Sequence, residues 1–190
     1  MSKFPWRSCL LASALVLAGC SSAPVHYYTL LQPAAAAPAV AQAGYLIEVL
    51  PVGVPEAQDR QGLVVRTGNS QVAMLDRERW AGPLADEVRA ALSSQLSAKL
   101  GARDATGLAK PADAKVLRVK LDLRRLDAWL GQRVDVTADW SVGWADKPGE
   151  RLLCSSKLSV PAPGDASALV EAYQQALAQL AGQIASQHCP

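Results

Sequence analysis

The chain has 190 residues, half of them hydrophobic and 19% charged, which suits one folded domain with a sizeable core and excludes a disordered polymer. Its 19 basic and 17 acidic side chains give a formal charge of +2 with no basic block, so nothing equips it to neutralise a run of nucleic-acid phosphates. Two histidines and four cysteines leave little material for general-base or metal chemistry.

At the N-terminus, Lys3 and Arg7 lead into a run of small and apolar residues from Cys9 to Leu17, which ends in Leu17-Ala18-Gly19-Cys20 before the polar Ser21-Ser22. A positive start, a short apolar stretch and small residues at its end make a signal peptide over residues 1–19. The stretch is too short for a spanning helix, which needs about 20 apolar residues. Leu17 to Cys20 resemble a bacterial lipobox, which implies cleavage before Cys20 and its acylation by diacylglyceryl and N-acyl (palmitate-type) groups. One acyl chain binds a membrane marginally, whereas two or more hold a protein there. Cleavage also removes Lys3 and Arg7, so the mature formal charge falls close to zero, and it removes Cys9. With Cys20 acylated, Cys154 and Cys189 remain in an exported, disulfide-permissive compartment, and a pair is expected. The alternative is a buried thiol at Cys154 and a loose one at Cys189.

Residues 20–44 read as a lipidated tether rich in Ala, Pro, Ser and Gln, interrupted by the patch His26-Tyr27-Tyr28-Thr29-Leu30-Leu31. The patch has β propensity and is expected as a first strand along the domain edge, leaving Ser21 to Val25 as a short leash. Pro33 to Ala43 reads as a flexible connection. Residues 45–190 read as a single domain, opening with a strand over Tyr45–Val52 and a turn-rich connection over Val54–Arg60. Gly62–Arg66 and Gln71–Asp76 flank Thr67-Gly68-Asn69-Ser70, which suits a hairpin turn. Pro83 favours a first helical turn, and Leu84, Val88, Leu92, Leu96 and Leu100 recur every four residues up to a stop at Gly101.

Downstream, Leu117, Val119, Leu121 and Leu123 alternate with Arg118, Lys120, Asp122 and Arg124, the period of a strand with one wet face. Val134, Val136, Ala138, Trp140, Val142 and Trp144 repeat the pattern. Opposite charges suggest the register, Arg124 facing Asp135 and Lys120 facing Asp139, in a hairpin that turns around Trp129-Leu130. A third strand over Leu152–Val160 should place Leu152, Cys154, Leu158 and Val160 on its apolar side. A second helix follows Asp165, with Leu169, Tyr173, Leu177, Leu180 and Ile184 facing inward. The expected class is α+β, a mostly antiparallel sheet with two amphipathic helices packed on one face. Cys154 would then point from the covered face and Cys189 would lie just past the covering helix, so a bridge would close a loop worth roughly 3–4 kcal/mol.

Chemistry is nearly absent. His26 sits in the tether and His188 at the C-terminus, no Cys/His cluster has metal-ligand spacing, and Gly62 to Gly68 lacks the ending of a phosphate-cradling loop. No enzyme activity, cofactor, metal or nucleic acid is expected.

Three patches in order, Tyr27-Tyr28-Thr29-Leu30 after Cys20, Asp59-Arg60-Gln61-Gly62-Leu63-Val64-Val65-Arg66, and Arg79-Trp80-Ala81-Gly82-Pro83-Leu84, resemble the PqiC/YmbA-type lipoproteins. These are auxiliary components of ABC-type transport systems that contain MCE proteins. Gly82 departs from an acidic residue often found there, and Gly62 from a branched or longer one. The resemblance implies a non-enzymatic subunit anchored through Cys20 in outer-membrane lipid and facing the periplasm, where it meets the MCE-domain protein that carries lipid between membranes. Ser21 agrees, because aspartate after the cysteine would signal inner-membrane retention. A surface near Tyr28, Arg60, Arg66 and Trp80 is expected to contact the transporter or a neighbouring copy in a homo-oligomer; the alternative for Trp80 is to cap the core beside the helix start. Two rival roles are a lipid carrier, which needs an apolar cavity of about 300 Å3 or more, and a structural envelope lipoprotein unrelated to transport.

Overall fold

Eight strands and two helices form among the described residues of the computed structural model, which are 23–33, 43–147 and 149–190. The signal peptide, the lipobox with Cys20 and most of the proline- and alanine-rich connection lie outside them. The strands are β1 (His26–Tyr28), β2 (Leu46–Val49), β3 (Gly62–Arg66), β4 (Val72–Trp80), β5 (Arg103–Asp104), β6 (Val116–Trp129), β7 (Arg133–Trp144) and β8 (Arg151–Pro161). Helix α1 (Leu84–Leu100) lies between β4 and β5, and α2 (Ala166–Ser186) follows β8.

Strand β6 organises the sheet. One edge pairs with β7, which pairs with β8; the other meets β2 over its first half and β3 at its far end, and β4 and then β1 continue outward from β3. The class is α+β as expected, in a sheet that is mixed rather than purely antiparallel, its long pairs being antiparallel. The β3/β4, β6/β7 and β7/β8 pairs are antiparallel, while β1/β4, β2/β5, β2/β6 and β3/β6 are parallel. Parallel neighbours need a long crossover, and the β3–β4 hairpin with α1 supplies it between β2 and β6.

The hairpin around residues 67–71 forms as expected, with β4 running on to Trp80. The β6–β7 register differs from the charge-matched one. Asp122 faces Asp139 and Asp127 faces Asp135, with a bulge at Arg124 between Leu123 and Arg125. The turn lies one residue later than expected, at Leu130-Gly131-Gln132, because Gly131 supplies the φ of 74° that a three-residue hairpin loop needs.

Helix α1 places Asp86 and Glu87 in its first turn, where the helix dipole favours acids, and ends at Gly101 in the left-handed conformation. Glu87 also accepts hydrogen bonds from the Thr29 hydroxyl (2.7 Å) and the Leu30 amide (2.9 Å), tying the segment after β1 to the helix start. Asp165 caps α2 by accepting from the amides of Ser167 and Ala168. Leu169, Tyr173, Leu177, Leu180 and Ile184 are all buried, in one core shared by both helices and the sheet. Inside it, the Trp140 indole donates to Ser156 Oγ (2.8 Å), which donates to Gln183 Oε1 (2.7 Å). Cys154 and Cys189 are bridged, with Cα atoms 5.4 Å apart.

Candidate functional site

Two neighbouring regions carry the residues singled out in the sequence. The first is the corner where β1, β4 and β3 begin or end. Tyr28 faces Trp80 across the β1–β4 pair, and the Trp80 amide donates to the Gln61 carbonyl, which brings Arg60 alongside. Trp80 is only 3% exposed and its ring packs at 5.9 Å against Tyr173, so it caps the core and offers no surface. Tyr28 is half-buried. Burial first, and then its hydrogen bond and proximity to Glu78, raise its hydroxyl pKa to about 12. Arg60 is exposed and has no ion-pair partner among the described residues.

Arg66 stands at the far end of β3, about 13 Å along the strand from Gly62. Its Nε donates to Asp127 Oδ1 (2.6 Å), its Nη1 to the Asn69 carbonyl (3.0 Å), and its guanidinium lies 5.9 Å from the centre of the Trp129 ring. These contacts make Arg66 a structural clamp as well as a surface residue. Asp127, 4% exposed, takes a second arginine from Arg125, the pairing that lets a carboxylate be buried. Arg133 covers the Trp129 ring at 5.2 Å and donates to Asp135. The Trp129 indole N–H is buried and faces the Asp135 carboxylate without good hydrogen-bond geometry. Burial alone would raise the Asp135 pKa, but hydrogen bonds from Ser159 and Arg133 hold it below the usual carboxylate value.

This cluster opens into a groove of about 440 Å3 on the outer sheet face, lined by Arg125, Asp127, Trp129, Arg133 and, from β8, Lys157 and Ser159. A second groove of about 420 Å3 continues along the same strands between Lys120, Arg124, Asp139 and Leu153. The bond from Arg124 first, then that from Ser155, keeps the Asp139 carboxyl below its usual range. The sequence reading missed the groove residues Arg125, Asp127, Trp129 and Arg133. The available signal was the Arg124-Arg125 doublet, two consecutive exposed residues that end one alternation and begin another.

Between sheet and helices there is little space. Two apolar voids, one among Leu30, Leu84, Val88, Leu126 and Leu177 and one beside Leu63, Trp80 and Leu169, measure about 10 Å3 each. Among the described residues no cluster of His, Cys, Asp and Glu could hold a metal ion, and no helix is long and apolar enough to cross a membrane.

Residues 28–185 match the family model of the ABC-type transport auxiliary lipoprotein component. The chain belongs to this family. Auxiliary lipoproteins of this kind serve an ABC-type transport system in a non-catalytic role and associate with the membrane through an anchor. A crystal structure of an uncharacterised protein shares the fold at a TM-score of 0.68 and 22% identity, covering 87% of this chain and 99% of that one. That of protein XCC0632 from Xanthomonas campestris shares it at a TM-score of 0.56 and 18% identity, covering 84% of this chain and 92% of that one. No curated protein matches the sequence.

Proposed function

We propose that this auxiliary lipoprotein is held by acylated Cys20 at the periplasmic face of the outer membrane and serves an ABC/MCE-type intermembrane lipid transport system. In that role it docks the MCE-domain protein of the same system, supports envelope integrity and performs no chemistry itself. The observation that carries the reading is the family match over residues 28–185, on a domain whose sheet and helices close on each other. Transport work then falls to other subunits, and what this chain offers is surface. Arg60 is exposed at the β1–β4–β3 corner and Arg66 holds Trp129 and Asp127 beside the outer groove, which supports reading both as contacts for a partner or a second copy. Tyr28 and Trp80 support that corner from beneath. The polar lining of the groove suits a protein partner, whose hydrogen-bonding groups can replace the water these side chains hold.

The lipid-carrier reading needs an enclosed apolar cavity of about 300 Å3 or more, and voids of about 10 Å3 speak against it. The test is a pull-down of the full acylated chain from detergent-solubilised envelopes, with bound proteins and lipids identified by mass spectrometry. Recovery of an MCE protein without stoichiometric lipid supports docking. Recovery of about one lipid per chain without that protein overturns it in favour of a carrier.

A further inference from the structure

The tether confines which side of the domain can meet the membrane. From Cys20 to His26 is six residues, which reach at most about 20 Å when fully extended. A domain of this size is about 40 Å across, from a radius of gyration of about 15 Å. An anchor at Cys20 therefore keeps the β1 edge on the membrane side. Because β1 runs parallel to β4, the chain upstream of His26 leads back toward the β3–β4 turn. On that side β4 is covered by β1 only at Glu78–Trp80, so the edge of its first six residues is unpaired by β1.

The side chains there are unusual for a solvated surface. Val25, Tyr27, Val72 and Met74 are four of the eight large hydrophobic residues exposed among those described; Tyr27 is 61%, Met74 54% and Val72 52% exposed. They lie as a strip on two adjacent strands, Val25 and Tyr27 at the start of β1 and Val72 and Met74 on β4. Tyr27 faces Arg79 in the register and Arg79 faces Gly62, while Met74, paired with Val64, extends its side chain over Gly62, where a Cβ would stand 2.6 Å from Met74 Cγ. From β1 to β3 this spans about 10 Å, and along β4 from Val72 to the position opposite Tyr27 roughly 20 Å. Arg77 and Arg79 border the strip without an ion-pair partner among the described residues, beside the exposed Asp76.

We propose that this strip rests on the phospholipid surface that holds the anchor, as a second contact that fixes how the domain stands. Tyr27, Val72 and Met74 enter the boundary between headgroups and acyl chains, where an aromatic ring with a polar tip is favoured. Arg77 and Arg79 meet lipid phosphates. The strip and the outer groove share one sheet face, since Val72 lies opposite Arg66 and Arg66 opposite Trp129, so the Trp129 end of the groove lies beside this contact and its β8 side farther from it. This inference rests on the Cys20 anchor of the proposed function.

The test places a nitroxide at Tyr27→Cys, at Met74→Cys and, as a control, at Leu153→Cys on β8, about 24 Å and five strand spacings from β1. The full acylated chain, with its Cys154–Cys189 bridge oxidised, is reconstituted on vesicles of phosphatidylethanolamine and phosphatidylglycerol. Collision with oxygen, which concentrates in lipid, is compared with collision with a water-soluble nickel chelate. The expected result is an oxygen-to-chelate ratio several-fold higher at 27 and 74 than at 153. If the chain floats with the vesicles but all three labels read as water-exposed, the strip is not a membrane contact, and the anchor stands. If the chain does not float, the anchor fails and this inference with it.

Discussion

Replacing Cys189 with serine isolates what the bridge to Cys154 contributes. Cys189 is exposed, so the change removes no core, whereas Cys154 is buried and its loss would add a packing defect. The two cysteines are 35 residues apart, and the chain-entropy relation for a closed loop of that length gives about 3.8 kcal/mol at 25 °C. The loop encloses the rest of β8 and all of α2, the helix that covers the sheet, so opening it frees the element with the most to lose. For a domain of this size that loss corresponds to a fall in Tm of about 8–15 °C. Urea unfolding of the oxidised wild type, the wild type with reductant, and Cys189→Ser should give two coincident curves and one shifted to higher urea. The uncrosslinked chain should also show the steeper m-value, because its unfolded state exposes more surface. Equal midpoints for the oxidised wild type and Cys189→Ser, with two titratable thiols in the native protein, would refute the reasoning.

Trp80→Ala should destabilise by about 3–5 kcal/mol, whereas Arg60→Glu should leave stability within about 0.5 kcal/mol and lower recovery of the transporter in the pull-down; denaturation and capture of both variants separate core from surface. Gly143→Val should cost about 1–3 kcal/mol, because even a Cβ would lie 2.9 Å from the Glu150 carbonyl oxygen and 3.2 Å from Arg151 Cα, both backbone atoms. Gly182→Ala in α2 should gain about 0.5–1 kcal/mol, since nothing lies within 4 Å of its Cβ position, and thermal melts will show the opposite signs. Glu48 has its pKa lowered from 4.5 by hydrogen bonds from Lys110 and then Arg118, so its contribution is present above the unfolded value and lost as pH falls through the folded one. Urea midpoints measured from pH 7 down to pH 3 should therefore fall below about pH 4.5, and more shallowly in Glu48→Gln. Tyr28, raised from 10.0 to about 12, contributes stability that is present below pH 10 and lost as pH rises through the folded value; Tyr28→Phe should remove that alkaline dependence of the midpoint.

Element types were legible where one period held throughout, as in α1 with its leucines four apart or the single alternation of β7. The β6–β7 register was not, because it was argued from charge. Opposed pairs on a sheet are worth about 0.2–1 kcal/mol each, whereas fully burying a leucine is worth about 1.5–3 kcal/mol. Carried past Leu123, the charge-matched register would turn Leu126 and Ala128 to the wet face. The bulge at Arg124 shifts the phase instead, so that Leu126 faces Val136 and Ala128 faces Val134 in the core. The like charges this sets opposite each other are managed by neighbours. Arg124 reaches Asp139 at 2.7 Å, Lys120 lies 3.9 Å from Asp122, and Arg66 and Arg125 hold Asp127. The same phase shift turns Asp127 and Trp129 outward, which is why the groove they line could not be read from the first half of β6 alone.

The alanines of the two helices were open to two readings in the sequence, and packing separates them. Small side chains on helices that cover a sheet can leave room for an acyl chain, or they can let the layers approach until no room remains. Ala91 of α1 and Ala172, Ala176 and Ala181 of α2 are all buried, and the two helices pack against each other as well as on the sheet. Larger residues of the same helices, among them Leu84, Val88, Tyr173 and Leu177, then meet Leu126 and Val136 around a void of about 10 Å3. Opening a cavity of about 300 Å3 would mean separating helices from sheet and exposing several of these side chains, at about 1.5–3 kcal/mol each. With a domain stability of about 5–15 kcal/mol, that opening approaches unfolding. The interior is therefore committed to holding the fold, and the surface is what remains for a membrane and a partner to use.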